Sequence, residues 1–168
     1  MSSLSITNIR LSGSPSGAIT NADGSTTFLS YDSSGNVTIP QFLTFGTATE
    51  ILEVRPASTS GAQTYSLSTT TVFYHPSVAG TITASFTNVP TTPLRAFAVS
   101  LIVVQGGTGY GFGNSINING SATTIRWSGG TAPTPGTSRT DIYTLSIVNI
   151  SSTTTPSWVA YGNKSDFN

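Results

Sequence analysis

Charged side chains are what this chain has least of. Asp, Glu, Lys and Arg make up 7% of its 168 residues, against roughly 25% in an ordinary soluble domain. The six bases, Arg10, Arg55, Arg95, Arg126, Arg139 and Lys164, balance six acids and are scattered along the chain. Counterion release from nucleic acid needs a concentrated positive footprint, so nucleic acid is not an expected partner. Zero net charge also removes the like-charge repulsion that keeps soluble proteins apart, which suits a subunit made to be assembled. Cysteine is absent, which excludes disulfides, zinc fingers and thiol chemistry and leaves packing, ladder hydrogen bonds and association to hold the fold. Long apolar runs are missing too. The most apolar stretch, Ala96 to Val104, is broken by Ser100 and is about half the length of a membrane span, so no membrane insertion is expected. The first residues, Met1-Ser2-Ser3-Leu4-Ser5-Ile6, lack the basic patch and apolar core of a secretory leader, and export by that route is not expected.

Hydroxyl side chains stand where the charges would be. Ser and Thr make up about a third of the chain and alternate with Val, Ile, Phe and Tyr in short runs, the pattern of a pleated sheet with one wet face. No window carries an amphipathic helical stripe. The pattern predicts strands near Glu50 to Arg55, Thr70 to His75, Thr81 to Thr87, Arg95 to Gln105, Ser115 to Ile118, Thr123 to Ser128, Asp141 to Asn149 and Ser157 to Tyr161. Their separators are rich in Gly and Pro, and Arg95 to Gln105 is apolar enough to be a central strand covered on both faces. The expected fold is all-β, an antiparallel β-sandwich or jelly-roll-like domain over residues 51–168, preceded by an N-terminal extended β arm over residues 1–50. The arm has only small apolar patches, so it must pair with its own body or with neighbouring chains. Ile39, Phe42 and Phe45 are its candidate assembly contacts.

Chemistry-bearing residues are few. His75 is the single histidine; as a general base it would need an orienting carboxylate and a nucleophile, and the plainer reading is a strand-end hydrogen bond. Glu50 and Glu53 are the one close acid pair, and an offset of three on a strand sends them to opposite faces, unlike the facing carboxylates of a glycosidase. No catalytic, cofactor or metal site is expected. The segment Gln105-Gly106-Gly107-Thr108-Gly109-Tyr110-Gly111-Phe112-Gly113 fails as a dinucleotide fingerprint, because Phe112 stands where the third glycine belongs and strand follows it. It reads either as a turn with its rings tucked inward or as a platform on which sugars stack. Trp127 enters a stiff Gly/Pro loop, where its ring either anchors the loop or lies against a partner. Tyr110, Phe112 and Trp127 are therefore the candidate glycan or partner contacts.

Several segments in a fixed order carry a resemblance: Val72-Phe73-Tyr74-His75, Ser100-Leu101-Ile102-Val103-Val104-Gln105-Gly106-Gly107, Ile118-Asn119-Gly120-Ser121, Ile125-Arg126-Trp127-Ser128-Gly129-Gly130-Thr131-Ala132-Pro133-Thr134 and Asp141-Ile142-Tyr143-Thr144-Leu145. Over about residues 50–162 the chain resembles a β-rich module at the C-terminal end of tail fibres and other virion structural proteins of marine and cyanobacterial tailed phages. Gly35-Asn36-Val37-Thr38-Ile39 is similar to linkers of fibre shafts and adaptors. The loop at Gly106–Gly113 is richer in glycine than that pattern. The resemblance implies a non-enzymatic virion structural protein (tail fibre, neck appendage or capsid decoration), assembled in the host cytoplasm and carried on the particle. It further implies a homotrimer that contacts capsid, neck or tail proteins and, in the competing reading, a carbohydrate-binding module for host surface glycans.

Overall fold

The computed structural model describes Gly17–Thr20, Thr27–Tyr31, Val37–Thr38 and residues 50–168. The chain divides into two compact units, Met1–Ala48 and Thr49–Asn168. In the first, β1 (Gly17–Thr20), β2 (Thr27–Tyr31) and β3 (Val37–Thr38) form an antiparallel sheet in that order, with a bulge at Ile19/Thr20. Ile39, Phe42 and Phe45 lie outside the described residues.

The second unit is all-β. Its strands are β4 (Leu52–Val54), β5 (Thr59–Ser66), β6 (Val72–His75), β7 (Val78–Thr87), β8 (Arg95–Val104), β9 (Ser115–Ile118), β10 (Ser121–Trp127), β11 (Thr140–Asn149) and β12 (Trp158–Phe167). They form one sheet in the order β4-β6-β8-β11-β12-β10-β9-β7-β5. Laid flat, its eight strand spacings would hold the two edges about 38 Å apart. Only Arg55 to Ser58 join β4 to β5, a link that reaches about 18 Å when fully stretched. The sheet therefore has to curl, and it forms a half-barrel. Residues from its two ends meet: the Tyr65 and Phe73 rings lie edge to face at 4.9 Å, and Arg55 on the β4 side donates to Gln63 on β5 at 3.2 Å.

The same short links explain the strand directions. From β4 to β9 each successive strand crosses to the opposite half of the curl, so β4, β6 and β8 line up in one half and β5, β7 and β9 in the other. Neighbours within a half are thus two reversals apart and run parallel. Five of the eight pairings are parallel. The expected antiparallel two-sheet sandwich differs from this on both counts: the sheet is mixed, and it is continuous through β10. The first residues of β10 pair with β9 and its last three, Ile125 to Trp127, pair with β12. Between β9 and β10 the chain turns on Asn119 and Gly120, both at positive φ, the two-residue hairpin turn that Asn-Gly favours.

Alternate residues fill the curl with one core. It contains Tyr65, Phe73, Ile82, Phe86, Val99, Leu101, Val103, Ile116, Ile118, Ile125, Trp127, Tyr143, Leu145 and Ile147. Strand β8 is central, between β6 and β11, but only its Val99, Leu101 and Val103 row is buried; Ser100, Ile102 and Val104 on the other face are half-buried. On β12 the inward row is Ala160, Gly162 and Lys164. Gly162 lies opposite Trp127, and a Cβ there would meet the indole at 2.5–2.6 Å and Ile125 at 2.8 Å. Gly162→Ala should therefore push Trp127 out of place and cost about 1–3 kcal/mol. A lower urea midpoint together with altered near-UV signal from the indole checks this.

Candidate functional site

The sequence-predicted site residues converge on one end of β11. Asp141 opens the inward row of that strand and is fully buried. Its Oδ2 accepts from Gly136 N at 2.9 Å and Gln105 Nε2 at 2.9 Å, and its Oδ1 lies 3.4 Å from Lys164 Nζ. Lys164 is itself almost buried and also pairs with Asp166. That bond from Lys164 holds the Asp166 carboxyl below the usual carboxylate range. Gln105 in turn grips the backbone of Tyr110 at both N (2.9 Å) and O (2.7 Å).

Two loops are thus pinned over the end of the curl by one carboxylate. They also press on each other: a Cβ on Gly109 would run into the carbonyl oxygen of Gly136, so the Gly-rich loop needs that glycine for its close approach. Phe112 is buried, edge to face with Tyr143 at 4.7 Å, and its backbone bridges to Ile82. Trp127 is also buried, edge to face with Tyr143 at 6.2 Å. Tyr110 is half-buried against the core. Of the three candidate glycan contacts, Phe112 and Trp127 turn their rings inward and offer no face to a ligand. Burial, and then the Asp141 charge, raise the Tyr143 phenol well above its ordinary pKa, so it stays neutral.

A second polar cluster sits where the ends of the sheet meet. His75 is fully buried at the end of β6 and shares a 3.0 Å hydrogen bond between its Nε2 and the Tyr65 hydroxyl. Arg55 lies over the Tyr65 ring at 5.1 Å and pairs with Glu53 at 2.5 Å. His75 Nδ1 has no partner among the described residues, so the orienting carboxylate that a general base needs is not in place there. Burial first, and then the Arg55 charge, push the His75 pKa down to about 4, with Glu53 opposing. Glu50 is exposed and takes a hydrogen bond from the Thr71 hydroxyl. Among the described residues there is no cluster of three or more His, Asp or Glu that could hold a metal ion, and no helix long and apolar enough to cross a membrane.

The far end of β11 mirrors the first. Asn149 is fully buried; its amide donates to Thr91 O and Thr92 O at 3.0 and 3.2 Å, and its oxygen accepts from Ser151 N and Ser157 N at 3.2 and 3.1 Å. Neither this staple nor the Asp141 hub was marked out by residue spacing. The surviving signal was a polar residue at each end of an otherwise apolar inward row.

Ala122, Thr123, Thr124 and Arg126 of β10 and Trp158 and Val159 of β12 line an open cleft of about 310 Å³. In comparisons with protein-family models, curated proteins and solved structures, nothing matches this chain.

Two outcomes follow. Asp141→Ala strands Gly136 N and the Gln105 amide and takes from the nearly buried Lys164 one of its two carboxylate partners, and should cost about 3–5 kcal/mol; chemical denaturation measures it, and a loss under ~1 kcal/mol would remove the hub from the account. For His75, the unfolded ring titrates near ~6.5 and the folded one near about 4. Between those values the unfolded chain binds a proton that the folded chain does not. Stability should be full above about pH 6.5 and decline as pH falls towards 4. His75→Gln should flatten that part of the profile; an unchanged slope would assign it to other groups.

Proposed function

We propose that the protein is a non-enzymatic bacteriophage virion structural protein, a component of a tail fibre, neck appendage or capsid decoration, which assembles through its N-terminal arm and displays the half-barrel outward. The virion assignment rests on the linked segments between about residues 50 and 162 that resemble phage fibre modules. The observation that carries assembly is the free edge of the half-barrel. Strand β4 pairs only with β6 among the described residues; its Leu52 and Val54 are 48% and 62% exposed, and Ile51 just before it is 64% exposed. An unpaired strand edge studded with apolar side chains is a template for another chain, and the low surface charge does nothing to repel one.

Closure around a threefold axis would cover this edge in every copy, which supports a homotrimer. The polar groups inside the curl support the structural reading as well. Asp141, Asn149 and His75 are all engaged in holding the protein's own loops and strands, and the most recognisable motif, around Trp127, packs the core. Capsid, neck or tail proteins are the proposed partners, and no cofactor is required. The competing reading as a host-glycan receptor keeps one specific observation, the open cleft between β10 and β12.

Light scattering on the purified protein should give a trimer, and Leu52→Glu combined with Val54→Lys should release monomers with unchanged far-UV circular dichroism. Immunogold labelling of intact particles should place the protein on the virion. A compact monomer, or label found only in the lysate, would overturn the reading.

A further inference from the structure

Of the ion pairs among the described residues, only Lys164–Asp141 has both side chains withdrawn from solvent, at 7% and 0% exposure. Register and alternation bring the two together. Asp141 stands opposite Asp166 and Tyr143 opposite Lys164, so all four lie on the inward rows of β11 and β12. A buried ion pair does little for stability by itself, because desolvating two charges costs about what their attraction returns. This pair is also arranged for a reaction that removes both charges.

The two oxygens of Asp141 are used unequally. Oδ2 accepts from Gly136 N and Gln105 Nε2 at 2.9 Å each and faces the Tyr143 hydroxyl at 3.5 Å. Oδ1 has none of these donors and lies 3.4 Å from Lys164 Nζ. Fixed donors on one oxygen of a carboxyl make an oxyanion site, placed where charge collects when a nucleophile adds to the carbon. The amine stands beside the opposite oxygen, held in place with water excluded from the acceptor. A shift in the last bonds of the Lys164 side chain brings Nζ onto the carbon. Asp166 engages the same ammonium from the half-exposed rim, and it also bonds to the Asp141 carboxyl facing it across the two strands. It therefore touches both the donor and the acceptor of a proton.

We propose that Lys164 and Asp141 condense to an isopeptide bond that ties β12 to β11. Nζ adds to Asp141 Cγ, and the negative charge gathers on Oδ2 beneath its donors. Asp166 carries two protons from Nζ to Oδ1, one before the attack and one after it. The Cγ–Oδ1 bond then breaks and Oδ1 leaves as water. Oδ2 becomes the amide oxygen and keeps Gly136 N and Gln105 as donors, while one proton stays on the nitrogen. The ammonium and the carboxylate are both consumed, and no oxidant or further reactant is needed. In a chain without cysteine the bond does what a disulfide does elsewhere, closing residues 141–164 into a ring that holds the β11–β12 hairpin. The inference is independent of the virion reading, since every group belongs to one half-barrel.

Intact-mass spectrometry of the full chain, folded, purified and then denatured, reads the reaction directly. The protein should weigh about 18 Da less than its sequence, the mass of one water. Trypsin cuts after Arg139 and Lys164; an acylated Lys164 should leave residues 140–168 as one peptide, and chymotrypsin should release from it a branched fragment joining Asp141 to Lys164. Lys164→Arg and Asp166→Asn should both restore the sequence mass, the second with unchanged far-UV circular dichroism because Asp166 sits at the exposed rim. Full sequence mass in the folded wild-type chain, with cleavage after Lys164, overturns the proposal. So does a water loss that maps elsewhere, to a succinimide at one aspartate or to Lys164 joined to Asp166. An Asp166→Asn chain that still carries the link overturns the proton path assigned to Asp166.

Discussion

The inward row of β11 is the constraint on which the rest of the half-barrel depends. It reads Asp141, Tyr143, Leu145, Ile147, Asn149, all buried. The three middle residues supply hydrophobic cohesion to a sheet that has no disulfide. The two polar ends are fully desolvated, and each is tolerated because backbone groups of long loops saturate it. Asp141 gathers the loops around Gly109 and Gly136, and Asn149 gathers those around Thr91 and Ser157. One strand therefore orders both ends of the curl, and its neighbours β8 and β12 follow its register along all ten residues.

The candidate sites are by-products of the same geometry. Curling brings β5 onto β6 and buries the Tyr65–His75 pair. Continuity of the sheet requires β10 to leave one ladder and join another, and the cleft between β10 and β12 lies at that transfer. The motif around Trp127 has a structural explanation: the indole fills the space over Gly162, the Gly/Pro loop behind it supplies Gly136 N to Asp141, and the glycines of the facing loop allow the two to touch.

Much of the strand content was legible because β7, β10 and β11 alternate apolar and small polar residues and β8 is an almost continuous apolar run. Strand β5 was not, since in Thr59–Ser66 only Thr59 and Tyr65 are buried and an edge strand needs little apolar patterning. The second half of β12 was hidden for a related reason. Its inward positions are Gly162 and Lys164, one leaving room for an indole and the other neutralising a buried carboxylate, so neither looks like core in isolation. The strand directions could not be read at all, because alternation between two halves of a curl is set by link lengths acting across the whole sheet.

Interleaving also decides how the domain comes together and apart. Between β4 and β8 no strand pairs with its neighbour in the chain, so the early segments can gain little until distant partners arrive. The β9–β10 and β11–β12 hairpins are the pieces able to form locally and act as seeds. A topology so dominated by remote pairing belongs among slow folders, on the order of milliseconds to seconds. Once laced, however, neither half can peel away without stripping strands that cross into the other, and the domain should open as a single cooperative unit under load.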